Sequence, residues 1–146
     1  MTAKRRPVSV LVVVYTGDAQ ILLLRRRQPI DSWQSVTGSL KDEESHAAAA
    51  ARELQEETGL TDEGELNCSD VSRRFEIDPR WRDQFEPGVV ENDEFEWRYR
   101  LPTARDIELN ADEHSEYQWL HVDAAINTVW SWTNREALEQ LKADIG

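Results

Sequence analysis

Residues 38–60, GSLKDEESHAAAAARELQEETGL, constrain this chain more than any other stretch. Five consecutive alanines, residues 47–51, run into Arg52-Glu53-Leu54-Gln55-Glu56-Glu57 with no Gly or Pro. That predicts a helix over residues 45–58, because alanine and straight-chain residues lose least freedom in a helix. Ser45 is suited to cap its start, and Gly59 stands where a left-handed terminus belongs. On such a helix Glu53, Glu56 and Glu57 are spaced i, i+3 and i+4 and share one face. Three like charges this close repel, and a divalent cation would offset the repulsion; Mg²⁺ binds through a few carboxylates plus substrate phosphates. A bare Arg-Glu-x-x-Glu-Glu is more often a solvated acidic face. Here the alanine side opposite asks for close packing, and Gly38, Glu44, Arg52 and Gly59 bracket the helix at defined offsets.

The remaining pattern is mixed. Residues 8–15 are β-branched and apolar and read as a buried strand. Gly17-Asp18 supplies a turn, and residues 20–25 answer as the second arm of a hairpin. Residues 33–37 form a short third strand ending at Gly38. Residues 66–77, 94–101 and 116–120 also read as strands, with alternation clearest at Phe95, Trp97 and Tyr99. Residues 78–90 hold two Pro and one Gly and read as a long loop, a length usually tied to function or mobility. Asp123 can cap a short helix, and residues 134–143 form a last one, with Ala137, Leu138 and Leu141 on one face.

The length of 146 residues predicts one domain, residues 1–146. The net charge is −12, yet residues 1–30 carry six bases against one acid. This balance excludes a general nucleic-acid binder, which needs a broad basic face. Cys68 is the only cysteine, so no intrachain disulfide forms, and the reading for it is inert strand or core. The basic start and apolar residues 8–15 lack a cleavage site and break at Gly17-Asp18, which fits a strand better than a signal peptide. No apolar run is long enough to span a membrane. The expectation is a soluble, cytoplasmic protein.

With these residues in view, the stretch resembles the Nudix hydrolase box, G-x5-E-x7-R-E-U-x-E-E-x-G-U, where U is bulky and aliphatic. Gly38, Glu44, Arg52, Glu53, Leu54, Glu56, Glu57, Gly59 and Leu60 meet every defined position. One departure is Glu43, where many members have Gly. The resemblance implies an α/β fold with a mixed β-sheet in an α/β/α sandwich and a loop–helix–loop over residues 38–60. It implies Glu53 and Glu57 as metal ligands, Glu56 as a ligand or orienting group, and Glu44–Arg52 as an ion pair tying loop to helix. Mg²⁺ is the implied cofactor, with Mn²⁺ a possible substitute. Metal ions of this kind neutralise phosphate oxygens during attack by water.

Outside the box the chain is similar, nearly end to end, to the bacterial branch of this family that serves folate biosynthesis. The similarity is carried by residues 6–10, 33–39 and 87–89, then by Glu113-His114, Trp119-Leu120 and residues 131–135. It implies hydrolysis of a small-molecule triphosphate, 7,8-dihydroneopterin triphosphate, to the monophosphate and pyrophosphate. It implies Arg5 and Arg26 as phosphate contacts, Thr37 beside the metal loop, and Phe75, Glu76, Ile77 and Asp78 along the substrate. Ser131 is a further substrate contact, and Glu113 a metal ligand from outside the helix. Among Arg25, Arg26 and Arg27 only one side of a strand faces a site. Arg26 is the choice, with its neighbours as surface.

His114 fits either a proton shuttle or a surface histidine. A pterin pocket needs a hydrogen-bond acceptor and an aromatic wall. Phe75, Trp33 and Trp132 are wall candidates, Trp97 and Trp119 are core, and Trp81 and Phe85 belong to a lid or a surface loop. Two alternatives stay open: a pyrophosphatase for dATP or oxidised dGTP, and a non-catalytic sensor on the same fold.

Overall fold

The first strand, β1 (Val8–Thr16), runs through the middle of the sheet and shows why its sequence is apolar throughout. Its even positions Val10, Val12 and Val14 pack with Ala49, Ala50 and Leu54 of helix α1 (His46–Thr58). Its odd positions Leu11 and Val13 pack instead with Ala125 of α2 (Val122–Thr128) and with Ala137, Leu138 and Leu141 of α3 (Trp132–Ile145). A strand covered on both faces reads as one continuous hydrophobic run, not an alternating one. The computed structural model describes residues 4–145.

Along one edge β1 pairs in parallel with β6 (Glu91–Leu101), from Val8↔Asp93 to Thr16↔Leu101. Its other edge is shared. β2 (Gln20–Arg26) meets it at Tyr15↔Ile21, and β4 (Val36–Ser39) pairs antiparallel with Ser9 to Val12. β3 (Ser32–Gln34) and β7 (Glu116–His121) flank β2, and β5 (Glu65–Glu76) edges β6. The result is a mixed sheet with α1 on one face and α2 and α3 on the other, the α/β/α sandwich expected from the box.

Helix α1 starts and stops where its residues predict. Ser45 Oγ accepts from the Ala48 N–H at 3.1 Å, and Gly59 takes φ 74° while its N–H reaches Gln55 O at 2.9 Å. Of the five alanines 47–51 of this helix only Ala49 and Ala50 are buried.

Two expectations need correcting, and a third is narrowed. The third strand is two, β3 and β4, divided at Ser35. There the Asn134 side chain takes over both groups: Ser35 N–H donates to its Oδ1 at 2.8 Å, and its Nδ2 donates to Ser35 Oγ at 3.0 Å. Relieved of sheet pairing at that residue, the chain leaves β2 and crosses to β1. His121, not Asp123, caps α2, its Nδ1 accepting from the Asp123 N–H at 3.2 Å. Cys68 is in a strand but exposed, because β5 is an edge.

Candidate active site

Two carboxylates and an imidazole meet near the end of α1. Glu57, Glu113 and His114 each bring one ligand atom within 4.8 Å of the others. Glu57 is 1% exposed and His114 2%. Glu57 Oε2 and His114 Nδ1 lie 2.5 Å apart, yet neither makes a well-directed hydrogen bond. A buried carboxylate oxygen without a directed donor is costly, and its chemistry, with a second carboxylate and an imidazole beside it, suits a divalent cation. Burial pushes the Glu57 carboxyl upward, but His114, Glu113 and Arg26 outweigh it and hold the group below its ordinary range. Glu113 moves the other way, raised by burial and by Glu57.

Glu53 and Glu56 do not join that cluster. Glu53 is buried and receives Arg52 Nη1 at 2.7 Å, while Glu56, largely exposed, sits 3.3 Å from the same nitrogen. Burial raises Glu53 to about 7 despite Arg52, with Glu56 and Glu57 adding to the rise. Arg52 also grips Glu44 at two points, Nε to Oε2 at 2.8 Å and Nη2 to Oε1 at 2.9 Å, and donates to Ser39 O at 3.1 Å. The expected tie between loop and helix is present. Gly38 lies against Glu53 so closely that a Cβ would collide with its carboxyl group. Glu43, the position at which the chain departs from the box pattern, has φ 62°, the left-handed conformation that glycine adopts without cost.

Beside this cluster opens a cavity of about 430 Å³. It is bordered by Arg5, Arg26, Thr37, Phe75, Glu76, Ile77, Asp78 and Ser131, so the eight substrate candidates gather in one place. Several already have partners. Thr37 Oγ1 donates to Val10 O at 2.9 Å, and Ser131 Oγ accepts from the Asn134 N–H at 3.1 Å, capping α3. Asp78 accepts from the Arg80 side chain and then its backbone N–H, both at 2.9 Å, which with its burial opposing leaves it at about 2. Glu76 meets Arg82 at 3.0 Å.

Arg26 is different: its Nε is buried with no partner, and its Nη2 stands 3.8 Å from Glu113 Oε2. Arg25 is engaged outside the cavity by Asp31 and Glu116, and Arg27 by Asp31 and Ser115. Arg5 keeps solvent contact, yet lost hydration at the cavity mouth and then the Arg26 cation lower its pKa, against the pull of Glu113 and Glu53. Two guanidiniums on one cavity, near enough to act on each other, invite an anion.

Sequence reasoning missed part of the lining. Asn92, Glu94, Thr133 and Asn134 are buried there, and Trp130 stands at the rim, its ring centroid 5.2 Å from that of Trp81, the lid candidate, which also borders the cavity. Trp132 and Phe75 border the cavity as expected, and Phe85 does so while buried. Trp33 does not. It packs on the cluster beneath α2 and α3, with Arg25 over its ring. Trp97 and Trp119 flank the other cluster, their indole N–H groups donating to His46 Nδ1 and Arg105 O. His114 is neither surface nor free, being held between Glu57 and Gln34.

Comparison with known proteins agrees with this fold. The sequence profile of the NUDIX domain matches residues 5–141. The chain is 42% identical over 140 residues to dihydroneopterin triphosphate diphosphatase of Escherichia coli K12, covering 93% of this chain and 92% of that protein. It is 32% identical over 137 residues to the protein of that name from Haemophilus influenzae, covering 90% and 85%. The solved structure of the E. coli dihydroneopterin triphosphate pyrophosphohydrolase superposes with a TM-score of 0.90 at 39% identity, over 95% of this chain and 97% of that one. A NUDIX hydrolase structure from Listeria monocytogenes follows at 0.77 and 26% identity, covering 96% and 97%. With the box complete, the fold matched and the profile covering nearly its whole length, this chain belongs to the Nudix hydrolase family.

Proposed function

We propose that this chain hydrolyses 7,8-dihydroneopterin triphosphate to the monophosphate and pyrophosphate. The observation that carries the reading is the juxtaposition of two guanidiniums, one with an unpartnered Nε, with a carboxylate cluster beside a cavity bordered by aromatics. Similarity over more than nine-tenths of the chain to proteins bearing that activity's name supports the choice of substrate.

Glu57 and Glu113 would hold Mg²⁺, with Glu53 and Glu56 completing its surroundings from α1 and Mn²⁺ an acceptable substitute. When bound, the ion supplies Lewis-acid charge against the phosphate oxygens. The protein's own groups do the rest. Arg5 and Arg26 bind the phosphate chain and set its direction. Thr37 and the Phe75–Asp78 segment border the space it fills, as does Ser131. His114 keeps Glu57 ionised. Water forms the new P–O bond, the α–β anhydride bond breaks, pyrophosphate leaves, and a carboxylate of the cluster takes the proton.

A substrate panel tests this, reading pyrophosphate release with Mg²⁺. Dihydroneopterin triphosphate should show the highest kcat/KM. An equal or higher value for dATP or an oxidised guanine nucleotide would move the assignment to nucleotide-pool hydrolysis.

A further inference from the structure

Along β6 three polar residues, Asn92, Glu94 and Glu96, alternate onto one face of the sheet, and all three are buried. Two have obvious work. Asn92 Nδ2 donates to Ser9 Oγ at 2.8 Å, and Glu96 receives Arg73 Nη1 at 2.8 Å. Arg73 is Glu94's cross-strand partner, yet its guanidinium is spent on Glu96 and, at 3.0 Å, on Glu136. Glu94 is left over. It is 6% exposed and borders the cavity, with the Thr133 hydroxyl beside it, and its Oε1 has no hydrogen-bond partner.

An unpaired buried carboxylate oxygen is expensive, and nothing in the fold uses it. Its surroundings say what would. Leu11, Phe75 and Ile77 give the cavity apolar walls, and Trp130 and Trp132 stand on its rim 44% and 48% exposed, unusually open for indoles. Apolar and aromatic walls with one deep acceptor suit a flat heterocycle that presents N–H donors along one edge. Dihydropterin and guanine share such an edge, a ring N–H next to an exocyclic amine. Adenine does not: it offers one amine beside a bare ring nitrogen, whose lone pair would face the carboxylate.

We propose that Glu94 reads the ring, accepting hydrogen bonds from the adjacent N–H donors of an amino–amide edge and so selecting pterin or guanine rings over adenine. The ring's identity as a pterin rests on the functional reading above; the edge itself does not, because guanine carries it too.

The test compares wild type with Glu94→Gln on dGTP and dATP, which share a triphosphate, and on dihydroneopterin triphosphate. A glutamine amide presents one donor and one acceptor, the complement of adenine. The expected result is a fall of at least about 10-fold in the dGTP:dATP ratio of kcat/KM, carried by KM, which is the worth of one bidentate contact. KM for dihydroneopterin triphosphate should rise alongside it, with kcat nearly kept. A ratio within about threefold of wild type would overturn the proposal, because a merely structural Glu94 would alter stability or kcat without altering ring choice. Should Glu94→Gln fail to fold, Glu94→Asp, which withdraws the carboxylate by one methylene, must show the same loss of selectivity. Wild type preferring dGTP to the pterin substrate would sink the substrate assignment alone, and the dGTP:dATP ratio would still judge Glu94.

Discussion

Gly38 and Glu53 stand in contact across the loop and the helix, the glycine Cα facing the carboxyl group with no room for another atom. Arg52, 2.7 Å from Glu53 Oε1, keeps the carboxylate from swinging aside. Gly38→Ala should therefore fold but displace Glu53, weakening Mg²⁺ binding by roughly 10- to 100-fold, as losses of supporting contacts around metal ligands do. Titration of activity against Mg²⁺ reads this. An unchanged half-saturation would show that Glu53 does not serve the metal.

Glu57→Gln should remove most activity, by more than about 100-fold in kcat, with a melting temperature close to wild type. The amide keeps the shape of the side chain but cannot supply an anionic ligand. An active Glu57→Gln protein would contradict its place at the metal.

Arg26→Ala should raise KM by roughly 10- to 100-fold while sparing the fold, since a charge-assisted hydrogen bond to phosphate is worth about 1.5–3 kcal/mol. Steady-state kinetics on the triphosphate substrate decides it. A change confined to kcat would place Arg26 at the reacting atoms instead.

Two carboxylates should shape the pH dependence of stability in opposite senses. Arg52, and then the Lys41 N–H, working against partial burial, hold Glu44 at about 2 when folded. The unfolded state then binds the proton first, so this contribution is whole above about pH 4.5 and is lost as pH falls toward 2. Glu44→Gln should flatten that acid limb by roughly 1–2 kcal/mol, less than the full shift because the group retains some solvent screening.

Glu94 is raised to about 7, chiefly by burial, with Glu96 adding to it and Thr133 and Arg73 opposing. Here the folded state keeps the proton longer, so stability declines as pH climbs from about 4.5 through 7. Glu94→Gln should abolish that decline, melting higher than wild type at pH 8 by an amount on the order of 3 kcal/mol and near wild type at pH 5. Equal melting curves at both pH values would count against a strained ionised Glu94.

What could be read from sequence divides by distance along the chain. Helix α1 and its caps depend on residues 45–59, and local chemistry places them. The gathering of Arg5, Arg26, the Phe75–Asp78 segment and Ser131 around one cavity followed from family resemblance, since no local rule joins such distant residues. The break at Ser35 escaped notice because the side chain that causes it lies 99 positions away. Glu94 and Asn92 escaped for another reason. Alternation at Phe95, Trp97 and Tyr99 reads as the buried face, which leaves even positions to solvent. In the folded protein α3 covers that second face, so Glu94 and Glu96 are buried too. His114 was ambiguous because its partner Glu57 stands on a helix distant in sequence.

The two-handed grip of Asn134 on Ser35 has a consequence for how this molecule can change over generations. Ser131, Trp132 and Thr133, which border the cavity, sit in the turn that carries Asn134. The carboxylate cluster draws instead on α1 and on Glu113-His114. The cavity wall of residues 131–133 and the carboxylate cluster thus lie on separate stretches of polypeptide, and the Asn134 amide fixes the first of them to the Ser35 junction of the sheet. Substitutions around residues 130–135 can retune what is admitted while the hydrolytic apparatus is inherited intact.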